Sequence, residues 1–276
     1  MKPMVIIKRG EDGSSLAYEA MKEMKASKLL SGRVLLKPNI TTNMPASTGV
    51  TTHPSVVEGV IRYLREEGDF DLIIAEGGGC DISRAFDELS FADLAMRYDV
   101  RLVDLNRDAF VTVRVENPLS QPEFPIAKTV LECDHIVNLP CLKVHTGEMQ
   151  VTLCMKNMMG FITPPNYRAS IMHTDFNRRM MDLLKVVRPK VNLIDGLVGH
   201  EGGEIQGEPV GMKLIIASAD FVAADAVGAA VMGFSEGEVV HIALAETMGF
   251  GKASLKDIEI RGESIKSVRR AFRRAR

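Results

Sequence analysis

The chain has no tryptophan, only 5% aromatic residues and almost no net charge, at −2. Nucleic-acid surfaces need base-stacking side chains or a basic field, so neither route to RNA or DNA is written into the chain as a whole. Cysteine is scarce too. Cys80, Cys133, Cys141 and Cys154 include no C-x-x-C pair. That removes the compact zinc and ferredoxin motifs and leaves two readings: reduced, buried thiols, or a cluster ligated from distant positions. No uninterrupted apolar stretch reaches membrane-spanning length, and the run in "MKPMVIIKRGEDG" is too short for a secretion signal. The expectation is a cytoplasmic protein with no membrane partner. Nucleotide fingerprints are missing as well. "EGGGCD" lacks the Lys and the Ser or Thr of a P-loop, and "GHEGGEIQG" lacks the dinucleotide spacing.

What is present is a β-α alternation over 276 residues, enough for one large domain that needs no disulfide or metal to hold its core. Runs such as "MVIIK", "RVLLKPN", "DLIIAEGGG", "VRLVDLN", "HIVNLP" and "VNLIDG" are short and unalternating, as strands covered on both faces should be. Helical stretches separate them; "THPSVVEGVIRYLREEG" opens on Pro54 and stops at Gly68. The spacing predicts an α/β fold: a mostly parallel sheet with helices on both faces, in two similar lobes with some antiparallel edge strands. Prolines near residues 115–130 mark the expected lobe boundary within a single domain, residues 1–276. "LVGHEGGEIQGEPVG" and "PPNYRASIMHTDFN" read as loops, and "MQVTLCMKNMMGFI" as a buried helix or a helix with an irregular start. Sixteen methionines fill irregular gaps. The basic tail, residues 266–276, reads as a solvated terminal helix in which only Val268 and Phe272 form an apolar stripe; contact with RNA, acidic lipid or an acidic partner is the alternative.

Polar residues gather where the apolar runs stop. Lys37 and Asn39 close one strand, Glu76 another, Asn138 and Lys143 a third, and Asp195 a fourth. Parallel strands end on a common edge, the usual ligand crevice of an open α/β sheet, so the pattern proposes one shared cleft; simple strand capping is the competing reading. Lys37, Lys143 and Lys156 suit phosphate or carboxylate, because an ammonium is a compact positive charge. Lys156 and Asn157 lie among Leu153, Met155, Met158 and Met159. Either the lysine reaches outward on its alkyl stem, or it belongs to a dry positive site with a bound anion or Glu76 as counter-charge. His145 and His173 are candidates for proton transfer, with Asp175 placed to orient His173; His53 either joins them or caps the following helix. Glu76, Asp195 and Glu201 are candidates for a divalent ion, without the spacing that would identify it. Asp220 reads as a helix cap, whereas Asp225, inside an Ala-rich helix, needs a partner.

Together these segments resemble the family catalogued as domain of unknown function 362. The likeness rests on "LLKPNI" with "TGVTTHPSVVEGVIRYLREEG", on "IIAEGGG", on "HIVNLPCLKVHTGEMQVTLCMKNMMG", on "MHTDF", and on "NLIDGLVGHEGG" with "IIASADFVAADAVGAAVMG". The resemblance implies a site using Lys37, Asn39, Glu76, Lys143 and His145, with Thr152, Lys156, Asn157, His173, Asp195 and Glu201; it implies no particular reaction. Many relatives carry a ferredoxin-like module, which this chain lacks. The loop after Glu201 also departs from the family, with "GEI" where Gly-Pro is usual. The leading expectation is an enzyme acting on a small phosphate- or carboxylate-bearing metabolite. His145, His173, Lys156 and Glu76 would be catalytic, Lys37, Asn39, Lys143, Asn157 and Thr152 would bind substrate, and Asp195, Glu201 and Glu76 would hold any assisting metal. The alternatives are an iron–sulfur or other redox metal protein with a redox partner, and a non-catalytic binding protein. A homo-oligomer is compatible with each.

Overall fold

Successive strand residues enter two different apolar layers. In the computed structural model, which describes residues 2–275, Val34 and Leu36 join one layer and Leu35 the other, and Leu72 and Ile74 separate likewise from Ile73 and Ala75. Unalternating apolar strands are the consequence of burying both faces.

The strands of the first half are β1 (Met4–Arg9), β2 (Arg33–Pro38), β3 (Asp71–Glu76), β4 (Arg101–Asp104), β5 (Phe110–Arg114) and β6 (Glu123–Ala127). Those of the second are β7 (His135–Leu139), β8 (Cys141–Val144), β9 (Val151–Thr152), β10 (Val191–Glu201), β11 (Glu208–Ser218) and β12 (Glu259–Gly262). The helices begin with α1 (Gly13–Met24), α2 (Pro54–Glu67), α3 (Ile82–Glu88), α4 (Phe91–Tyr98), α5 (Lys128–Leu131) and α6 (Cys154–Asn157). They continue with α7 (Pro165–Met172), α8 (Phe176–Val186), α9 (Phe221–Val231), α10 (Val240–Thr247) and α11 (Ile265–Val268).

The main sheet runs β12-β1-β11-β10-β7-β2-β3-β4. From β10 to β4 every neighbouring pair is parallel. β11 is antiparallel to both β10 and β1, while β12 is parallel to β1. β8 extends the pairing along β10, and β9 turns back on β8. A separate antiparallel ribbon, β5–β6, includes part of the 115–130 region. Helices α1 to α4 contribute to the layer of Val34 and Leu36, and α6 to α10 to the opposite one, so helices cover both faces. Among the described residues no helix is long and apolar enough to cross a membrane.

Four segments depart from the expectation. "LVGHE" is strand: β10 continues past a bulge between Gly196 and Val198, leaving only residues 202–207 as the hairpin tip. Its glycines serve packing, since a Cβ on Gly199 would stand 2.7 Å from the Phe272 ring. Residues 151–161 form a strand, one turn of α-helix and a 3-10 turn rather than one long helix. Residues 165–172, expected as loop, are the helix α7, which has proline in its first turn. The tail is helical only over Ile265–Val268. Beyond it the backbone docks on the end of β10, where Gly202 N donates to Arg273 O at 2.8 Å and Arg273 N to Glu201 Oε2 at 2.9 Å. Val268 and Phe272, the expected stripe, are buried, and Arg274 lies over the Phe234 ring and pairs with Glu238. Arg276, the last basic residue of that tail, lies outside the described residues.

Candidate functional site

The parallel strands β2 and β3 end side by side, and their last residues bring a cation and an anion together in the interior. Lys37 Nζ lies 2.6 Å from Glu76 Oε1, with both side chains almost wholly buried. Lys37 spends its other donors on Pro38 O at 3.0 Å and Asn157 Oδ1 at 3.3 Å. Glu76 accepts in addition from Gly77 N and Ile40 N, at 2.8 and 3.0 Å. Burial pushes Lys37 below its ordinary value, and Glu76 works against that push. The turn after α6 crosses directly over the pair. A Cβ on Gly160 would stand 2.8 Å from Glu76 Oε1 and from Lys37 Nζ, so only glycine fits there.

Asn157, the last residue of α6, ties this pair to the neighbouring strands. Its Nδ2 donates to Asn138 Oδ1 at 2.8 Å, and its Oδ1 accepts from Asn39 Nδ2 at 3.0 Å. The start of α6 is held by Asp225 of α9, whose two oxygens accept from Cys154 N at 2.7 Å and Met155 N at 3.0 Å. This is the partner that the buried Asp225 required. Asp220 caps α9 as its sequence position suggests.

One residue earlier in α6, Lys156 points to the tip of the β10–β11 hairpin. Glu204 there accepts from Lys156 Nζ at 2.9 Å and faces His145 Nε2 at 2.8 Å. Burial opposes ionisation of Glu204, but Lys156, His145 and Lys143 overcome it and hold the carboxyl well below the usual carboxylate range. Burial, then the Lys156 charge, push His145 below its ordinary value, and Glu204 opposes them in part. A carboxylate can only accept, so Nε2 carries a proton in either charge state. Nδ1 faces another acceptor, Thr146 O at 2.9 Å, and donates to it when protonated, so losing that proton costs this bond.

Lys37, Asn39, Glu76, His145, Thr152, Lys156, Asn157 and His173 line a single cavity of about 220 Å³ at the ends of these strands. At roughly 30 Å³ per water it has room for a small metabolite. His173 is an exposed part of its rim, and Asp175 pairs with Arg178 at 3.6 Å rather than with the histidine. Lys143 stands behind the wall, buried, donating to Thr41 Oγ1 at 3.1 Å and Val50 O at 3.2 Å. Burial lowers it, with Glu204 opposing. Two atoms of lining residues, Asn39 Oδ1 and Thr152 Oγ1, are buried without a hydrogen-bond partner among the described residues.

The structure does not bring Asp195 and Glu201 to Glu76. Asp195 accepts from His53 N at 2.7 Å and Leu197 N at 3.0 Å, fixing the entry to α2, where His53 is the cap. Glu201 is bonded to the tail. Among the described residues no group of three or more His, Cys, Asp and Glu side chains is set to hold a metal ion. None of the four cysteines belongs to such a group: all are free thiols, and burial pushes Cys80 up to about 11, Cys141 up to about 12 and Cys154 higher still.

Two charged cavity residues have no counterpart among the sequence candidates. Arg168 of α7 reaches Gly78 O and Asn106 Oδ1, each at 3.0 Å, stitching the helix to the glycine turn after β3. It is hidden in sequence because its segment reads as loop. Glu204 has one signal, the "GEI" that departs from the family's usual loop.

A thylakoid-associated protein of Synechocystis sp. is 24% identical to this chain over 225 residues, which are 79% of this chain and 68% of that protein. The lactate racemase apoprotein from Thermoanaerobacterium thermosaccharolyticum superposes with a TM-score of 0.42 at 10% identity, covering 82% of this chain. The match spans 57% of that racemase chain. The sequence profile of the Domain of unknown function (DUF362) family matches residues 34–230, well over half of the sequence, and the chain belongs to that family.

Proposed function

We propose that this protein is a cytoplasmic enzyme that binds a small phosphate- or carboxylate-bearing metabolite in the cavity at the ends of β2 and β3. One observation carries the reading. Among the described residues, Lys37, Lys156 and Arg168 line the cavity against the carboxylates of Glu76 and Glu204 alone, so one positive charge is left over. Lys143 behind Thr41 adds another. Unbalanced buried charge is costly, and a bound anion relieves it. Lys156 and Thr152 are the groups that receive the anion: Lys156 gives Glu204 one of its three protons, and Thr152 has a hydroxyl to spare. Lys37, by contrast, has all three donors engaged; it sets the charge and holds Glu76 and Asn157 in place. His145 is the proton-transfer group: its Nδ1 gives up a proton at the cost of the bond to Thr146 O, while Nε2 keeps its bond to Glu204. Four free thiols are in keeping with a reducing compartment.

Calorimetric titration with inorganic phosphate and with succinate at low ionic strength tests the reading. Saturable binding that is weakened at least tenfold in Lys156→Ala is expected. Absence of binding by both anions at millimolar concentration, or equal binding by the variant, would overturn it.

A further inference from the structure

Four buried asparagines form one directed chain that ends at the cavity wall. Asn192 Nδ2 donates to Ser218 O at 3.3 Å, and its Oδ1 accepts from Asn138 Nδ2 at 3.1 Å. Asn138 Oδ1 accepts from Asn157 Nδ2 at 2.8 Å, and Asn157 Oδ1 accepts from Asn39 Nδ2 at 3.0 Å. An amide can be turned end for end, so direction has to be argued from the partners. Here each amide is fixed independently. Ser218 O demands a donor from Asn192, and Cys154 O, 3.0 Å away, demands one from Asn138. Lys37 O and Pro38 O face Asn157 Nδ2, while the Lys37 ammonium faces its Oδ1. Asn39, meeting Asn157 Oδ1, can therefore present only its NH2 group.

The consequence falls on Asn39 Oδ1. It is the end of the chain, it is buried, and nothing among the described residues donates to it. Asn39 lines the same cavity as Lys156 and Thr152. A buried acceptor without a donor is costly, and native proteins rarely leave one unpaired. The missing group is a hydrogen-bond donor. The cavity already carries surplus positive charge, which favours a neutral hydroxyl over an ammonium.

Resting on the anion-binding reading above, we propose that the ligand is a hydroxylated anion. Its carboxylate or phosphate lies at Lys156 and Thr152, and its hydroxyl donates to Asn39 Oδ1. Asn39 is then the specificity-determining residue, with Asn157, Asn138 and Asn192 holding its amide in one orientation.

Paired ligands differing by one hydroxyl test this on the intact chain: malate against succinate, and 3-hydroxypropyl phosphate against propyl phosphate, each titrated into wild type and Asn39→Ala. A site that hydrogen-bonds a hydroxyl rejects the analogue lacking it. The wild type is expected to bind the hydroxylated member of at least one pair about tenfold or more tightly, and Asn39→Ala to bring that ratio close to one. If both members bind equally to the wild type, a resident water satisfies Oδ1 and the inference fails while the anion site stands. A preference that persists in the variant also overturns it, because the acceptor is then elsewhere. If no ligand of either pair binds, the anion reading falls and this inference with it. Should Asn39→Ala fail to fold, the wild-type ratios decide alone.

Discussion

Lys37 and Glu76 are tolerated inside the protein because each has all its close partners in place. Removing one strands the other. Lys37→Met is expected to cost about 3–5 kcal/mol, since it leaves a buried carboxylate without its counter-charge, and pairing it with Glu76→Leu should recover a good part of the loss. Urea unfolding of the two single variants and the double variant measures this; a single variant as stable as wild type would show that the pair carries no such coupling. Asp225 gives a pH signature. Burial pushes it up to about 7, against the amide donors of residues 154 and 155, from an unfolded value near 4. Between those values the native state holds more proton than the unfolded chain. The linked stability is thus complete below about pH 4 and is lost as pH rises through about 7. Between pH 5 and pH 7 the wild type should lose more stability than Asp225→Asn, by at most about 1.4 kcal/mol per pH unit. Parallel losses in unfolding curves would contradict the shift.

The β10–β11 hairpin and the tail act as one element at the scale above. His200 holds the tip in place, its Nδ1 donating to Thr48 O at 2.8 Å and its Nε2 accepting from Gly207 N at 3.1 Å. Phe272 packs on Gly199 beneath it. Phe272→Ala should destabilise the protein by about 3 kcal/mol and speed amide hydrogen exchange at residues 199–203 more than in β2 or β3. Uniform or unchanged exchange would mean the tail does not brace the tip. Glu204 at that tip neutralises part of the charge an anion would meet. Glu204→Gln should therefore raise affinity for phosphate or succinate about tenfold, because a carboxylate close to Lys156 competes with any incoming anion. Titration of the variant checks this, and unchanged affinity would place the anion away from Lys156.

Across the whole molecule, the parallel half of the sheet was readable because strands buried on both faces leave uninterrupted apolar runs, and β2, β3 and β7 carry them. Their polar ends mark Lys37, Asn39 and Glu76 for the same reason. What could not be read were contacts made across the fold. The glycines of β10 look like loop residues until Phe272 is seen against Gly199. Lys143 and His145 are two residues apart, yet β8 ends at Val144. His145 N then bonds to Gln150 O, so the turn re-aims the histidine into the cavity while Lys143 stays behind it. Asn192 sits inside an apolar strand and reveals its part only through Asn138.

The proposed activity depends on a small anion occupying the cavity beside Lys156. The most direct measurement is a crystal structure of the protein equilibrated with selenate, located by its anomalous scattering. The account predicts a selenium peak within hydrogen-bonding reach of Lys156 Nζ and Thr152 Oγ1. Peaks confined to surface arginines and lysines, with the cavity holding only water at saturating selenate, would contradict it.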